Sequence, residues 1–440
     1  MASNGEGNAM AEAGREGGGP VRRVLVTPQE ERFLGLWQDF WWSTGKQVHG
    51  QGTLYRLAAH SLSAAEMERW HERQRMAGEE IPRYAPIFRE SAASRISRAL
   101  PGMILGELVG DAVGISAADG APFGQSSSFA QLTLFSLEAL IATRLWADVN
   151  GKWADQENLR AAEFFAVLMW GHAQGTAWSE IMSGDRAARF PHPLGWLAAR
   201  PEMRFRAHPD EAALGAVRDF ATRNRASAVA GNDSRSAGVL ASSVPLAMWS
   251  DAPDRLVALA TKNAALTHGA PQAHVSAAAL AVVCNALLNE HDLRTAVREA
   301  IEAVGALDGA ADTVRALETV LTAAEVSTVE EFARTFDGVW TADAVLGVAV
   351  HAAMVHGRDF DRAVTESAGV QGDRPATAGV CGALVGIASG VAAIPAARLS
   401  PLAVGGVAQE LIDDALAEFA SANPPRSQEW HDRYDHLRGL

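Results

Sequence analysis

The stretch "PGMILGELVGDAVG" places Gly102, Gly106, Gly110 and Gly114 four residues apart. In an α-helix that spacing puts all of them on one face. A second stretch, "GVCGALVGIASG", repeats the device with Gly382, Gly386 and Gly390. Each interior glycine costs about 0.5–1 kcal/mol relative to alanine. A chain that keeps so many needs a compensating contact, and the one that only glycine permits is close approach of two helix backbones. The two stretches are therefore expected to pack against each other, whatever the protein does.

The rest of the chain from Ser97 reads as helix. "DEAALGAVRDFATRNR", "APDRLVALATKNAAL", "AHVSAAALAVVCNALLNE", "DLRTAVREAIEAVGAL", "ADAVLGVAVHAAMVHG" and "VAQELIDDALAEFASA" all carry apolar residues three to four apart. No alternation of strands with helices occurs, so the fold class is all-α: one large multi-helix domain over residues 95–422 with an N-terminal helical extension. Residues 1–25 are rich in Gly, Ala and Glu and read as disordered. Residues 26–94 form an aromatic leader holding Trp37, Trp41, Trp42 and Trp70 of the chain's 12 tryptophans, and residues 423–440 a C-terminal tail. The leader either docks on the main domain or grips another protein, since aromatic side chains concentrate at binding hot spots.

Charge and cysteine content narrow the classes. The net charge of −14 gives no general attraction to nucleic acid or anionic lipid. The 2 cysteines, Cys284 and Cys381, sit in apolar runs and cannot build a disulfide framework or a four-cysteine zinc site, so buried hydrophobic roles are expected. The N-terminus lacks the apolar core of a signal peptide and no apolar run is read as a membrane span, which points to the cytoplasm. His49, His60 and His71 in the leader show no metal-ligand spacing.

The segment "GQSSSFAQLTLFSLEALIATRL" starts a helix with Ser126, Ser127 and Ser128, whose hydroxyls can accept from its first N–H groups. Hydroxyls and then Phe129 and Ala130 stand where a catalytic helix start would carry charge.

Five segments in order resemble the ADP-ribosylglycohydrolase family. "RALPGMILGELVGDAVG" resembles the family's "RAxGxxLGxxxGDAxG". "AVAGNDSRSAGVLASSVPLAMW" is similar to "NNSKGxGGVMRVAPxGL", and "NAALTHGAPQAHVSAAALA" to "ALTHxxPxxxxSA". "FDGVWTADAVLGVAVHAAM" matches "GGGWVAEEALAxAL", and "SAGVQGDRPATAGVCGALVGIASG" takes the place of "SGDSDSTGAxxGxLLGA". The resemblance runs from about Ser97 to Phe419. It implies an all-helical fold and cleavage of an N- or O-glycosidic bond to ADP-ribose with a pair of magnesium ions, held by a "TDDT" turn and a "DxD[ST]" turn.

At those turns this chain departs from the family. Ser127 replaces a threonine, Ser128 and Phe129 replace both aspartates of the first turn, and Pro375 and Ala376 replace the second aspartate and hydroxyl of the other. Ala118 stands at the usual glutamate, with Asp119 beside it, and Ser242 at a position that is often arginine. Asp373 is kept, followed by Arg374, which could pair with Asp373 or Asp111 where a metal once sat. The metal positions thus read as degenerate and no cofactor is expected.

The remaining polar candidates each have two readings. Asp111 either anchors N–H groups at a helix end or serves the site. His268 is a turn histidine or lines the cleft. Asn232, Asp233, Ser234 and Ser236 form a turn or a ligand-contacting loop, and Asp373 is half of an ion pair or a site carboxylate. Ligand contacts are expected from Ser127, Ser128, Asn232, Asp233, Ser234, His268, Asp373 and Arg374. Three functions are compatible with these residues. The first is a member that binds a protein or an ADP-ribose-like ligand without hydrolysis, with the leader as protein contact. The second is an enzyme using Asp111, Asp119, Asp233, His268 or Asp373 in metal-independent chemistry. The third is a magnesium-dependent hydrolase with ligands not recognised in the sequence.

Overall fold

The glycine seam forms as its spacing requires. Helix α1 (Ala92–Asp119) lies along the helix α11 (Arg374–Ser389), and a Cβ placed on Gly102, Gly106 or Gly110 would run into the carbonyl of Gly386, Gly382 or Ala378 in turn. The relation is reciprocal: Gly382 and Gly386 abut the carbonyls of Gly106 and Gly102. Gly114 meets the start of α11, where a Cβ would stand 2.5 Å from Pro375 Cα. Gly390 differs from the expected stripe. It ends α11 at φ 74°, a left-handed conformation that favours glycine, and nothing lies within 4 Å of its Cβ position.

The computed structural model describes residues 92–149, 156–193, 195–223, 229–250, 252–421 and 424–434. Residues 1–25, read as disordered, and the aromatic leader with its three histidines lie outside them, except that residues 92–94 of the leader open α1. Between α1 and α11 run α2 (Ser128–Val149), α3 (Gln156–Ala173), α4 (Glu211–Arg223), α5 (Pro253–Ala264), α6 (Pro271–Leu288), α7 (Leu293–Val304), α8 (Ala310–Ala323), α9 (Ala342–His356) and α10 (Phe360–Ala368). After α11 come α12 (Gly405–Phe419) and α13 (Gln428–Tyr434), and short helical turns fill the connections. Among the described residues the only β-type pairings are isolated bridges, Ser236 with Thr341 and Val339 with Gly372. The fold is all-α.

Helix α6 is buried on nearly every face from Ala273 to Leu288, including Cys284, and serves as a central strut between α5 and α7. Helices α1 and α6 are both long and apolar enough to cross a bilayer, although neither reads as a span in the sequence. The apolar windows are 89% and 83% buried inside the fold, so core packing accounts for their composition. The segment set apart as a tail contributes α13, whose Trp430 and Tyr434 are buried. Arg433 beside them lies 3.8 Å from the Trp196 ring and 2.8 Å from Asp414.

Several carboxyls are enclosed with this core. Glu138 on α2 accepts from Leu197 N–H at 3.2 Å, and burial pushes it up to about 8 despite that bond. A carboxyl raised in the folded state keeps its proton where the unfolded chain has already released one. Stability from this group is therefore present below about 4.5 and falls as pH rises toward about 8.

Both the seam and the buried acid can be tested by urea unfolding. Gly106→Ala or Gly382→Ala must push two backbones apart and should lower the unfolding free energy by about 1–3 kcal/mol or more. Gly215→Ala, on α4 with nothing within 4 Å, should raise it by about 0.5–1 kcal/mol. Between pH 5 and pH 8 the wild type should lose stability relative to Glu138→Gln with a slope approaching about 1.4 kcal/mol per pH unit, read from urea midpoints at each pH.

Candidate functional site

Because α1 and α11 touch, the end of one and the start of the other are neighbours, and the polar residues gather there. Asp111 is fully buried on α1 and faces the start of α2. Its Oδ2 accepts from the Ser127 N–H at 2.8 Å and its Oδ1 from the Ser127 hydroxyl. Ser127 Oγ in turn accepts from Phe129 N–H at 3.0 Å, so the expected serine cap forms, with Asp111 behind it. Burial raises the Asp111 carboxyl to about 7, against the lowering effect of the Ser127 bonds; Asp373 adds to the rise and His208 opposes it.

Asp373 caps α11. Its Oδ1 accepts from Ala376 N–H at 3.2 Å, and its own N–H donates to the Val339 carbonyl at 2.8 Å. Burial raises its carboxyl, with Asp210 adding and His208 subtracting. Gly372 just before it has φ 152°, and a Cβ there would run into the Val339 carbonyl oxygen.

Two members of this group carried no signal in the sequence. Asp210 is 8% exposed; Oδ1 accepts from Ala213 N–H at 2.9 Å and caps α4, while Oδ2 is buried without a hydrogen-bond partner against Gly238. His208 has φ 46°, rare outside glycine, and its Nε2 lies 3.0 Å from Asp119 Oδ2. It acts electrostatically on both Asp111 and Asp373. One turn before Asp111, Glu107 is fully buried with no partner for either oxygen, and burial pushes it well up. The nearby Thr133 hydroxyl donates to the Phe129 and Ala241 carbonyls instead.

The loop from Asn232 closes another side. Asn232 Oδ1 accepts from Ser234 N–H at 3.0 Å and Gly269 N–H at 3.1 Å, and its Nδ2 donates to the Thr267 carbonyl at 2.9 Å. Ser234 Oγ lies 3.0 Å from Ser236 Oγ, which lies 2.9 Å from His268 Nε2. His268 is buried, with Thr267 Oγ1 2.8 Å from its Nδ1, and burial lowers its pKa toward a neutral ring. Arg235 pins this loop through Asp312 at 2.6 Å. Asp233 is exposed and is not brought to the carboxylates.

The substituted positions have structural occupations. The Phe129 ring is buried against Gly379 of α11, 3.3 Å from where a Cβ would stand, and Pro375 and Ala376 are buried in the α1–α11 seam. Ser128 Oγ is buried without a partner, and Ala118 is exposed. Arg374 differs from expectation: it pairs with neither Asp373 nor Asp111 but donates to the carbonyls of Val370 at 3.1 Å and of Ala117. Ala117 lies in the last turn of α1, where unpaired carbonyls carry the negative end of the helix dipole and attract a cation. Among the described residues no group of three or more His, Cys, Asp or Glu side chains is placed to share one ion.

Trp340 sits between the two isolated bridges, with Val339 tied to the Gly372–Asp373 turn and Thr341 to Ser236. It is 57% exposed, a large aromatic between two loops that carry site residues.

An all-helical domain with a cluster of polar residues at the ends of a glycine-packed helix pair agrees with the chain's similarity to known proteins. The chain belongs to the ADP-ribosylglycohydrolase family, whose model matches residues 91–425. A solved "ADP-ribosylglycohydrolase-related protein complex" contains a chain similar to it at 20% identity and a TM-score of 0.53, covering 74% of this chain and 99% of that one. At that identity the likeness is one of fold. No curated protein matches the chain.

Asp111→Ala should strip acceptors from the Ser127 N–H and hydroxyl and cost at least about 1–3 kcal/mol in urea unfolding. Asp233→Ala should stay within about 0.5 kcal/mol of the wild type.

Proposed function

We propose that this chain is a family member that has lost the dinuclear magnesium site and binds an ADP-ribose-like ligand in the cleft without hydrolysing it. The observation that carries the reading is where the cleft carboxylates spend their oxygens. Both oxygens of Asp111 face Ser127, one of Asp373 faces the Ala376 N–H, and one of Asp119 faces His208. Magnesium demands nearly octahedral oxygen coordination at about 2.0–2.1 Å. Ser128, Phe129, Pro375 and Ala376 add at most one neutral hydroxyl to that set, so the residues present do not fit two such ions. Trp340 offers a flat apolar face for stacking a base or sugar beside Asp373 and Ser236.

A second reading, metal-independent chemistry, draws support from Asp111, whose carboxyl at about 7 suits proton transfer at neutral pH. It is the weaker of the two because both Asp111 oxygens are engaged with Ser127. On either reading the aromatic leader of residues 26–94 is proposed as the contact for a protein partner.

Calorimetric titration of ADP-ribose into metal-stripped protein should give the same affinity with and without magnesium. Trp340→Ala should weaken it about tenfold, or about 1.4 kcal/mol. Binding that requires magnesium, or release of ADP-ribose from a modified protein only when magnesium is added, would overturn the proposal.

A further inference from the structure

A cavity of about 30 Å³ lies away from the cleft carboxylates, bounded by α2, α3, the turn at 238–242 and the end of α5. Neither Asp111, Asp210, Asp373 nor His268 lines it, although the Thr267 hydroxyl on its wall also lies 2.8 Å from His268 Nδ1. Its polar walls are Ser136, Glu163, Ser242, Asn263 and Thr267. At about 10–15 Å³ per water-sized group, it holds two or three such groups.

Glu163 sets its chemistry. The side chain is 3% exposed, and Oε1 accepts from the Ser136 hydroxyl at 2.7 Å. Asn263 supplies a second hydrogen bond. A carboxylate has about four acceptor positions, so two donors leave it under-used. No Lys, Arg or His lines the cavity. A buried carboxylate without a counter-charge is unfavourable, and burial accordingly holds this one in its protonated form up to about 8. The hydroxyls of Ser242 and Thr267 add further acceptor capacity. A half-open pocket around one under-used acid, with Ser242 and Thr267 half-buried at its wall and no positive group of its own, is complementary to a small molecule that only donates.

We propose that this cavity binds a small nitrogen cation, either ammonium or a guanidinium entering edge-on from the open side, with Glu163 as its counter-charge and the Ser242 and Thr267 hydroxyls as acceptors. Such an ion carries several N–H donors and no acceptor, and charge-assisted bonds to a carboxylate are the strong ones. Water in the same space would satisfy a protonated Glu163 but would confer no selectivity among added cations.

The test is urea unfolding of the full chain at slightly alkaline pH in millimolar ammonium, guanidinium or tetramethylammonium chloride at matched ionic strength. Ammonium or guanidinium should raise the midpoint with the logarithm of its concentration, as expected of a ligand that binds only the folded state. Tetramethylammonium, which has no N–H and is too large, should not. Glu163→Gln should abolish the rise. Ser242→Arg, which tethers a guanidinium beside Glu163, should raise the midpoint without added cation and remove the response to it. No rise with either small cation overturns the proposal, as does an equal rise with tetramethylammonium or an unchanged response in Glu163→Gln. If the Gln variant fails to fold, Ser242→Arg decides alone: a lowered midpoint with the cation response intact overturns it.

Discussion

Backbone contact between α1 and α11 is the constraint on which the rest of the structure depends. With no side chains between them, Gly102, Gly106 and Gly110 meet Gly386, Gly382 and Ala378 directly, and the register of one helix against the other has almost no freedom. That register sets where Asp111 and Asp373 stand, because one lies on α1 between Gly110 and Gly114 of the seam and the other caps α11. Close packing of this kind is intolerant of even one methyl group. The same rigidity brings the negative end of α1 to the first residue of α11, where Arg374 binds the Ala117 carbonyl.

Around this fixed pair, the carboxylates are arranged as parts of the protein's own hydrogen-bond framework. Asp111 holds the start of α2, Asp373 the start of α11 and Asp210 the start of α4, so three helix N-termini contribute to one acidic cluster. Helix N-termini suit negative charge, which makes the clustering tolerable. His208 acts on both Asp111 and Asp373, and its left-handed backbone is the kind of strain that persists where surroundings over-determine a residue. Acids held in this way act as helix caps, and the proposed binding role starts from that use.

Much of the fold was legible in the sequence because helical periodicity converts spacing directly into faces. The glycine stripes, the buried Cys284 and Cys381 and the serine start of α2 were visible for that reason. The substitutions at Phe129, Pro375 and Ala376 were visible because motifs fix the positions against which they stand out. Asp210 was hidden because it reads as an ordinary helix-capping aspartate, and His208 because it lies in a loop without a motif. Glu107 and Glu163 look like routine polar residues on helices until burial is known. The partners of Arg374 were hidden for a related reason: sequence proximity to Asp373 says nothing about where a long side chain finds its acceptors.

The proposed loss of the metal pair rests on Asp111, Asp119 and Asp373 giving oxygens to protein partners. Its most direct test is a manganese titration of the metal-free protein followed by electron paramagnetic resonance, which counts bound ions without requiring any substrate. The account predicts no stoichiometric binding at micromolar manganese. Two ions bound per chain in that range, lost on Asp111→Ala or Asp373→Ala, would contradict it.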